Sequence, residues 1–420
     1  MPHKSESPQG ALCRGFAQET SSPPLRWSLP VMLLIQVATS AANLAPAVAA
    51  PALLSPLGLS PVAVGFYVAL LYASAMVSAQ LGPMLVRRWG PVRTSQWALT
   101  VSAVGLVLVG IPQVGVAAVG TCLVGVGCGP VVPAGADMLV RATPPGRVAL
   151  AFSIRQTGVP LGGVLAGLLV PPVSLAWGGQ GAMIAAAGFC VIVALAAQGL
   201  RPHFDNRTDP LSAWPSLSSM AQPIRTVLDE PRLRGAVLGS TLYAAMQVCV
   251  ASYLVVYLTR DLGWNVAVAG LGLAVAQIGG ALGRVAWGAL ADGPAQYDGT
   301  MRLLIGAMAL SGFAMVLLPQ GQETLPALLL LGLLGASAIG WNGVFFARLS
   351  QLAPHGQMAE AVAGGVFFNY LGVVIGPAIF GVAAAGLGSH GWAYALFSVP
   401  LAVLCVALWR APTDGARRAA

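Results

Sequence analysis

The chain has 420 residues, of which 57% are hydrophobic and only 8% charged, with 52 glycines and a mean hydropathy of +0.78. So apolar a composition lies outside the soluble range and indicates an integral membrane protein, which excludes a sizeable soluble catalytic domain. The net charge of +8 would suit a nucleic-acid ligand only if it were clustered, and it is instead spread over tails and connections.

A bilayer core asks for about 20 apolar residues per helix. In chain order, a polar tail (1–28) is followed by predicted spans near 29–50, 61–86, 95–112, 116–140, 148–172 and 180–199. A polar central loop (200–234) comes next, then spans near 235–258, 266–290, 302–319, 326–350, 360–386 and 391–409, then a short tail (410–420). The expected fold is an all-α membrane protein with twelve transmembrane helices in two pseudo-symmetric six-helix bundles, 29–199 and 235–409. The first span ends in the small-residue run AVAA (47–50), as a cleaved signal peptide would. Its length is long for a signal core and eleven more spans follow, so it is taken as span one.

With the amino terminus inside, the odd connections carry Arg87, Arg88 and Arg93, then Arg141 and Arg147, then Arg201, Arg207, Arg225, Arg232 and Arg234, then Arg302. The tails add Lys4, Arg14, Arg26, Arg410, Arg417 and Arg418, whereas the even connections hold Arg260 alone. This bias places both termini and the central loop in the cytoplasm, in a multi-pass protein of the inner membrane. The cysteines (13, 122, 128, 190, 249, 405) form no CxxC pair and read as small apolar residues. The histidines (3, 203, 355, 390) show no metal-ligand spacing, and no Walker-type phosphate loop is present. No metal, cofactor or enzymatic activity is expected. The expected partners are a small-molecule substrate, the lipid bilayer and a co-transported proton, with no nucleic acid and a monomeric state.

The two halves share a plan. LGLSPVAVG (57–65) matches LGWNVAVAG (262–270) at an offset of 205, and RQTGVPLGGVLAG from Arg155 matches NYLGVVIGPAIFG from Asn369 at an offset of 214. The matches fall on corresponding spans, two with eight and five with eleven, which points to an internal duplication. GRVAWGALAD (283–292), at the end of span eight, resembles the loop signature of the major facilitator superfamily. GPMLVRRWGPVR (82–93) occupies the equivalent place after span two but has Arg87 where that family has its acid. The resemblance implies a 6+6 bundle around a central cavity, working by rocking-type alternating access; it does not select a substrate.

Charge inside the hydrocarbon costs at least ~2.5–3.5 kcal/mol for an arginine at a helix centre, so Asp137, Arg155, Arg284, Arg348 and Glu360 each need a reason. Arg155 lies eight residues beyond Arg147, and Arg284 eight before Asp292. Both are therefore about 12 Å inside. In the family this chain resembles, spans five and eight are neighbours, so the leading expectation is an anionic substrate held between Arg155 and Arg284. Two other readings stand beside it: an Asp137–Arg155 structural pair with Arg284 snorkelling to the surface, and a proton-coupling role for Asp137 with Arg155.

Gln156, Gln247, Tyr243, Gln277, Trp341, Asn342, Asn369 and Asn43, with Gln36, supply further polar groups at cavity depth. Individually each is as well explained by helix–helix hydrogen bonding; together they suit a small polar solute. Gly158, Gly162 and Gly167, with Gly372, Gly376 and Gly381, are expected at the moving contact between halves, where Pro160 and Pro377 permit bending. Arg87 with Glu360, and Arg147 with Asp292, are expected to latch the cytoplasmic side when it is closed. The expected function is secondary active transport of a small anionic solute by alternating access, with an exporter of amphipathic drugs as the alternative.

Overall fold

In hydrocarbon no water can hydrogen-bond an open backbone, so a chain this apolar closes its amides into helices. The computed structural model describes residues 25–59, 63–144, 146–206, 208–209, 217–292, 296–320 and 325–410, and among them there is no strand. The tails, with His3 and Cys13, lie outside the described residues, as do 60–62 of the first repeat.

Span one is Leu25–Val48. Span two is Ala63–Ala79 continued by Gly82–Trp89 at a bend of 51°. Pro83 has no amide hydrogen for the carbonyl one turn back, which accounts for the bend. Span three is Pro91–Val109; span four is Val114–Cys128 and Val131–Ala142, broken at Gly129–Pro130. Span five begins with Val148–Gln156, and a helical run Gly158–Ala196 carries the rest of it and span six. That run reverses at Gly178, whose φ of 70° suits only glycine. Gly179 accordingly packs on Ala52 at one end of the bundle, while Ala194 accepts a hydrogen bond from Gln96 at the other.

After a short amphipathic helix, Gln222–Asp229, the second half has span seven (Pro231–Val256), span eight (Val266–Leu290) and span nine (Gln296–Ala314). Span ten (Leu325–Ala338 and Asn342–Leu352) is broken around Gly340; spans eleven and twelve are Met358–Leu387 and His390–Arg410. Twelve passes result among the described residues, with large apolar side chains such as Leu168, Leu195, Leu310 and Val382 exposed on the outer faces as a bilayer requires.

The duplication is visible in packing. Gly158 sits on Gln36 and Gly162 on Ser40, joining spans five and one; Gly372 sits on Thr241 and Gly376 on Ala245, joining spans eleven and seven. The partners Gln36 and Thr241, like Ser40 and Ala245, are 205 apart, the offset read from the sequence for spans two and eight. These glycines therefore cement each half internally. The expectation that they form the moving contact is corrected: a Cβ at Gly162 or Gly372 would overlap backbone of its own half, so close approach is used for rigidity. Between halves, span five lies against spans eight and ten, where Gly288 and Gly343 both abut Ser153. Span eleven lies against spans two and four through Tyr370.

Candidate functional site

The arginine-rich end is sealed. Arg87 pairs with Glu360 across the halves, and Gln80 donates to the Ala363 carbonyl at 3.2 Å beside it. The Glu360 side chain is 5% exposed while that of Arg87 is 52% exposed, so the pair is half in water. On the pseudo-symmetric side, the Asp292 carboxylate accepts the Leu150 amide at 3.2 Å. It caps the first turn of span five, where helix-dipole and amide donors favour an anion. The anticipated Arg147–Asp292 ion pair takes a different form: Arg147 is exposed and contributes nearby charge, while backbone amides hold the carboxylate. Burial raises the Asp292 pKa, opposed by the amides of Leu150 and Ala149 and by Arg147.

The opposite end is open. A cavity of about 270 Å³ lies between the halves, lined by span two from Val64 to Tyr72, span seven at Val248 and Ser252, and span eleven from Val373 to Pro377. Its floor is the Tyr72–Tyr370 ring pair, with centroids 5.3 Å apart. Below, Cys128 is 3.5 Å from the Tyr370 hydroxyl and accepts from Asn43 Nδ2 at 3.0 Å, and the Asn43 carbonyl accepts the Tyr67 hydroxyl at 2.9 Å.

Arg155 lies behind this floor and does not line the cavity. It is 1% exposed, and its Nη2 donates to the Val131 carbonyl at 2.9 Å just past the break in span four, three residues beyond Cys128. Gly135 gives the guanidinium its room, because a Cβ there would overlap it. Its Nε has no hydrogen-bond partner, and no carboxylate pairs with it among the described residues. Asp137 pairs with Arg141 one turn along at 2.6 Å, which corrects the proposed Asp137–Arg155 pair: the intrahelical partner is nearer in sequence and lies toward the arginine-rich end. A guanidinium carries five donors, so a buried one on so few acceptors is under-satisfied.

Arg284 is equally buried, at 1%, but is occupied. Its Nε donates to the Ile339 carbonyl at 3.1 Å, in the break of span ten, and its Nη1 donates to the Gln156 carbonyl of span five. Pro160, four residues beyond Gln156, has no amide hydrogen to offer that carbonyl, so the helix leaves it free for Arg284. Arg284 thus ties the two halves together at the level of Arg155, and it does not snorkel. The two guanidiniums engage different neighbours, Arg155 the Val131 carbonyl and Arg284 those of Ile339 and Gln156.

The remaining candidates divide. Gln247 accepts from Trp341 Nε1 at 2.9 Å and Asn342 Nδ2 at 3.0 Å, and Tyr243 stacks edge-on against Trp341, so these four form a satisfied network within the second half. Gln277 is exposed and stands two turns from Arg284 on the same helix face. Asn369 is buried beside Tyr370. Gln156 and Gln36 are buried with side-chain oxygens that find no partner. Arg348 pairs with Asp298 at 2.8 Å. Sequence reasoning missed Tyr370, Cys128, Tyr72, Tyr67 and Gly135. Its only available signal was that a buried arginine needs neighbours, which a single chain cannot name.

Two like six-helix halves enclosing a cavity open at one end define a membrane carrier. The family model of the Major Facilitator Superfamily matches residues 32–377, and the chain belongs to that family of transporters. It is 28% identical over 317 residues to an uncharacterized MFS-type transporter of Mycobacterium tuberculosis (strain CDC 1551 / Oshkosh), covering 75% of this chain and 67% of that one. The fold is similar to that of the E. coli fucose:proton symporter FucP (TM-score 0.72, 15% identity, 92% of this chain and 99% of the other). It is also similar to the human organic anion transporter TETRAN (TM-score 0.75, 14% identity, 92% and 100%).

Proposed function

We propose that the protein is a secondary active transporter that moves a small anionic solute across the inner membrane by alternating access, with Arg155 as the anion's anchor. The structure then corresponds to the state open to the outside, with the arginine-rich end cytoplasmic and closed by Arg87–Glu360 and the Asp292 cap. Arg284 acts as an interhalf clamp on the Gln156 carbonyl, released when spans five and eight part. The observation that carries the reading is the guanidinium of Arg155, 1% exposed, with Nε unpartnered and no carboxylate beside it, under the floor of the interhalf cavity. Such a charge is costly unless a partner arrives, and a substrate anion is the partner that a carrier supplies.

One feature weighs against an exporter of drug-sized amphiphiles: the two mid-span charges buried to 1%, Arg155 and Arg284, are both positive, where a carboxylate would suit a cationic drug. Proton coupling fits the fucose:proton symporter's likeness, and Asp137, paired with Arg141 at 2.6 Å, is the carboxylate of span four available for it. The test is a thermal-shift and proteoliposome-uptake screen of purified protein over small anions, neutral analogues and cations. Anions should stabilise the wild type, and Arg155→Ala should abolish that stabilisation. If only neutral or cationic compounds bind, and the variant binds them equally, the proposal fails.

A further inference from the structure

The lining of the cavity says more about the solute than the charge behind its floor. Of the side chains facing it, Val64, Val68, Val248, Val373 and Val374 are aliphatic, and Ser252 and Tyr72 alone bring hydroxyls. A second cavity, about 310 Å³, opens among spans one to four and has Val64 in its lining, as the first does. Its walls are almost wholly leucine, alanine and valine. Its inner limit is Tyr67, which bonds Asn43, which bonds Cys128, which contacts Tyr370. Both clefts have Val64 in their linings, and behind them Arg155 is held on Val131, three residues past the Cys128 of this cluster. Three buried polar atoms of spans one and five have no partner: Arg155 Nε, a donor, and Gln156 Oε1 and Asn43 Oδ1, acceptors.

A solute with several hydroxyls finds side-chain hydroxyl partners only at Ser252 and Tyr72, so each further one is buried against valine at about 1–3 kcal/mol. An inorganic anion would leave the aliphatic walls in contact with nothing. A carboxylate on a short hydrocarbon body satisfies both regions: the head compensates Arg155 and the body displaces water from valine. The main cavity has room for about nine water-sized groups, which sets the scale of that body.

We infer that the solute class is a short-chain, apolar-bodied carboxylic acid, carried with its carboxylate on Arg155 and its hydrocarbon body between spans two, seven and eleven. This rests on the anion reading above and narrows it. Reaching Arg155 requires the Tyr72–Tyr370 floor to part, so Tyr370 is the side chain that changes place when the acid binds.

The full-length purified protein in lipid nanodiscs is titrated calorimetrically with four probes: 4-methylpentanoate, its amide, glycolate and inorganic phosphate. The expected result is binding of 4-methylpentanoate at least about tenfold tighter than any of the other three, a difference of ~1.4 kcal/mol. Val68→Asn should reverse the preference toward glycolate. The wild-type panel stands by itself if that variant misfolds. If glycolate or phosphate binds as well as 4-methylpentanoate, the apolar-body inference is overturned while the anion reading survives. If the amide binds as well as the acid, the anion reading itself falls. Absence of binding by all four overturns the inference and returns the anion reading to other anions.

Discussion

Arg155 and Arg284 are the same residue type, at the same level, each 1% exposed, yet they differ in what holds them. Arg284 spends its donors on carbonyls that two broken helices leave open, Gln156 ahead of Pro160 and Ile339 in the break of span ten. Arg155 reaches Val131 and leaves its Nε without an acceptor. Burial alone therefore does not separate an arginine that holds a fold together from one that waits for a ligand. Hydrogen-bond satisfaction does, because an unsatisfied buried cation is a standing cost that selection would remove unless something used it.

The contrast can be attacked from either side. The largest change is expected for Arg284→Met, which leaves the Gln156 carbonyl unmet at about 1–3 kcal/mol and the Ile339 carbonyl with Asn342 Nδ2 alone, and lowers the thermal midpoint of the purified protein. An unchanged midpoint would show that the clamp is not structural. Gly135→Ala comes next. Its Cβ would overlap the far end of the Arg155 side chain, which must swing aside, so we expect loss of anion binding with only a small change in stability. Normal binding by this variant would mean that the guanidinium does not need its present position.

Arg87→Glu should cost little stability, about 0–1 kcal/mol, because the pair is half exposed. Its effect should appear in transport, which the added Glu360→Arg should restore. If the double variant is as impaired as the single, the pair is no gate. The smallest effect concerns pH. Burial raises the Asp292 pKa above its unfolded value, so this group's contribution favours folding at low pH and is lost as pH rises through the folded pKa. Asp292→Asn should remove that fall from the stability profile just above the ordinary carboxylate range, and a profile identical to wild type would contradict the assignment.

Much of the fold was legible because the bilayer makes the problem one-dimensional. Span length, glycine-rich repeats and the two offsets all act along the chain, and the offsets reappear in the packing of Gly162 on Ser40 and Gly376 on Ala245. The depth of Arg155 and Arg284 was likewise readable by counting from Arg147 and Asp292. Direction around the helix axis was not. A one-turn neighbour, Arg141, claimed Asp137, and the carbonyl freed by Pro160 claimed Arg284, both of which depend on where side chains point. The tyrosine and cysteine cluster was illegible for another reason: Tyr72, Cys128 and Tyr370 come from three spans and acquire meaning only through contact.

The most direct test replaces Arg155 with methionine and follows thermal unfolding with and without a stabilising anion. The account predicts a midpoint equal to or above that of the wild type, since an uncompensated charge has been removed, and no response to the anion. A large fall in the midpoint, or an anion response as strong as the wild type's, would contradict it.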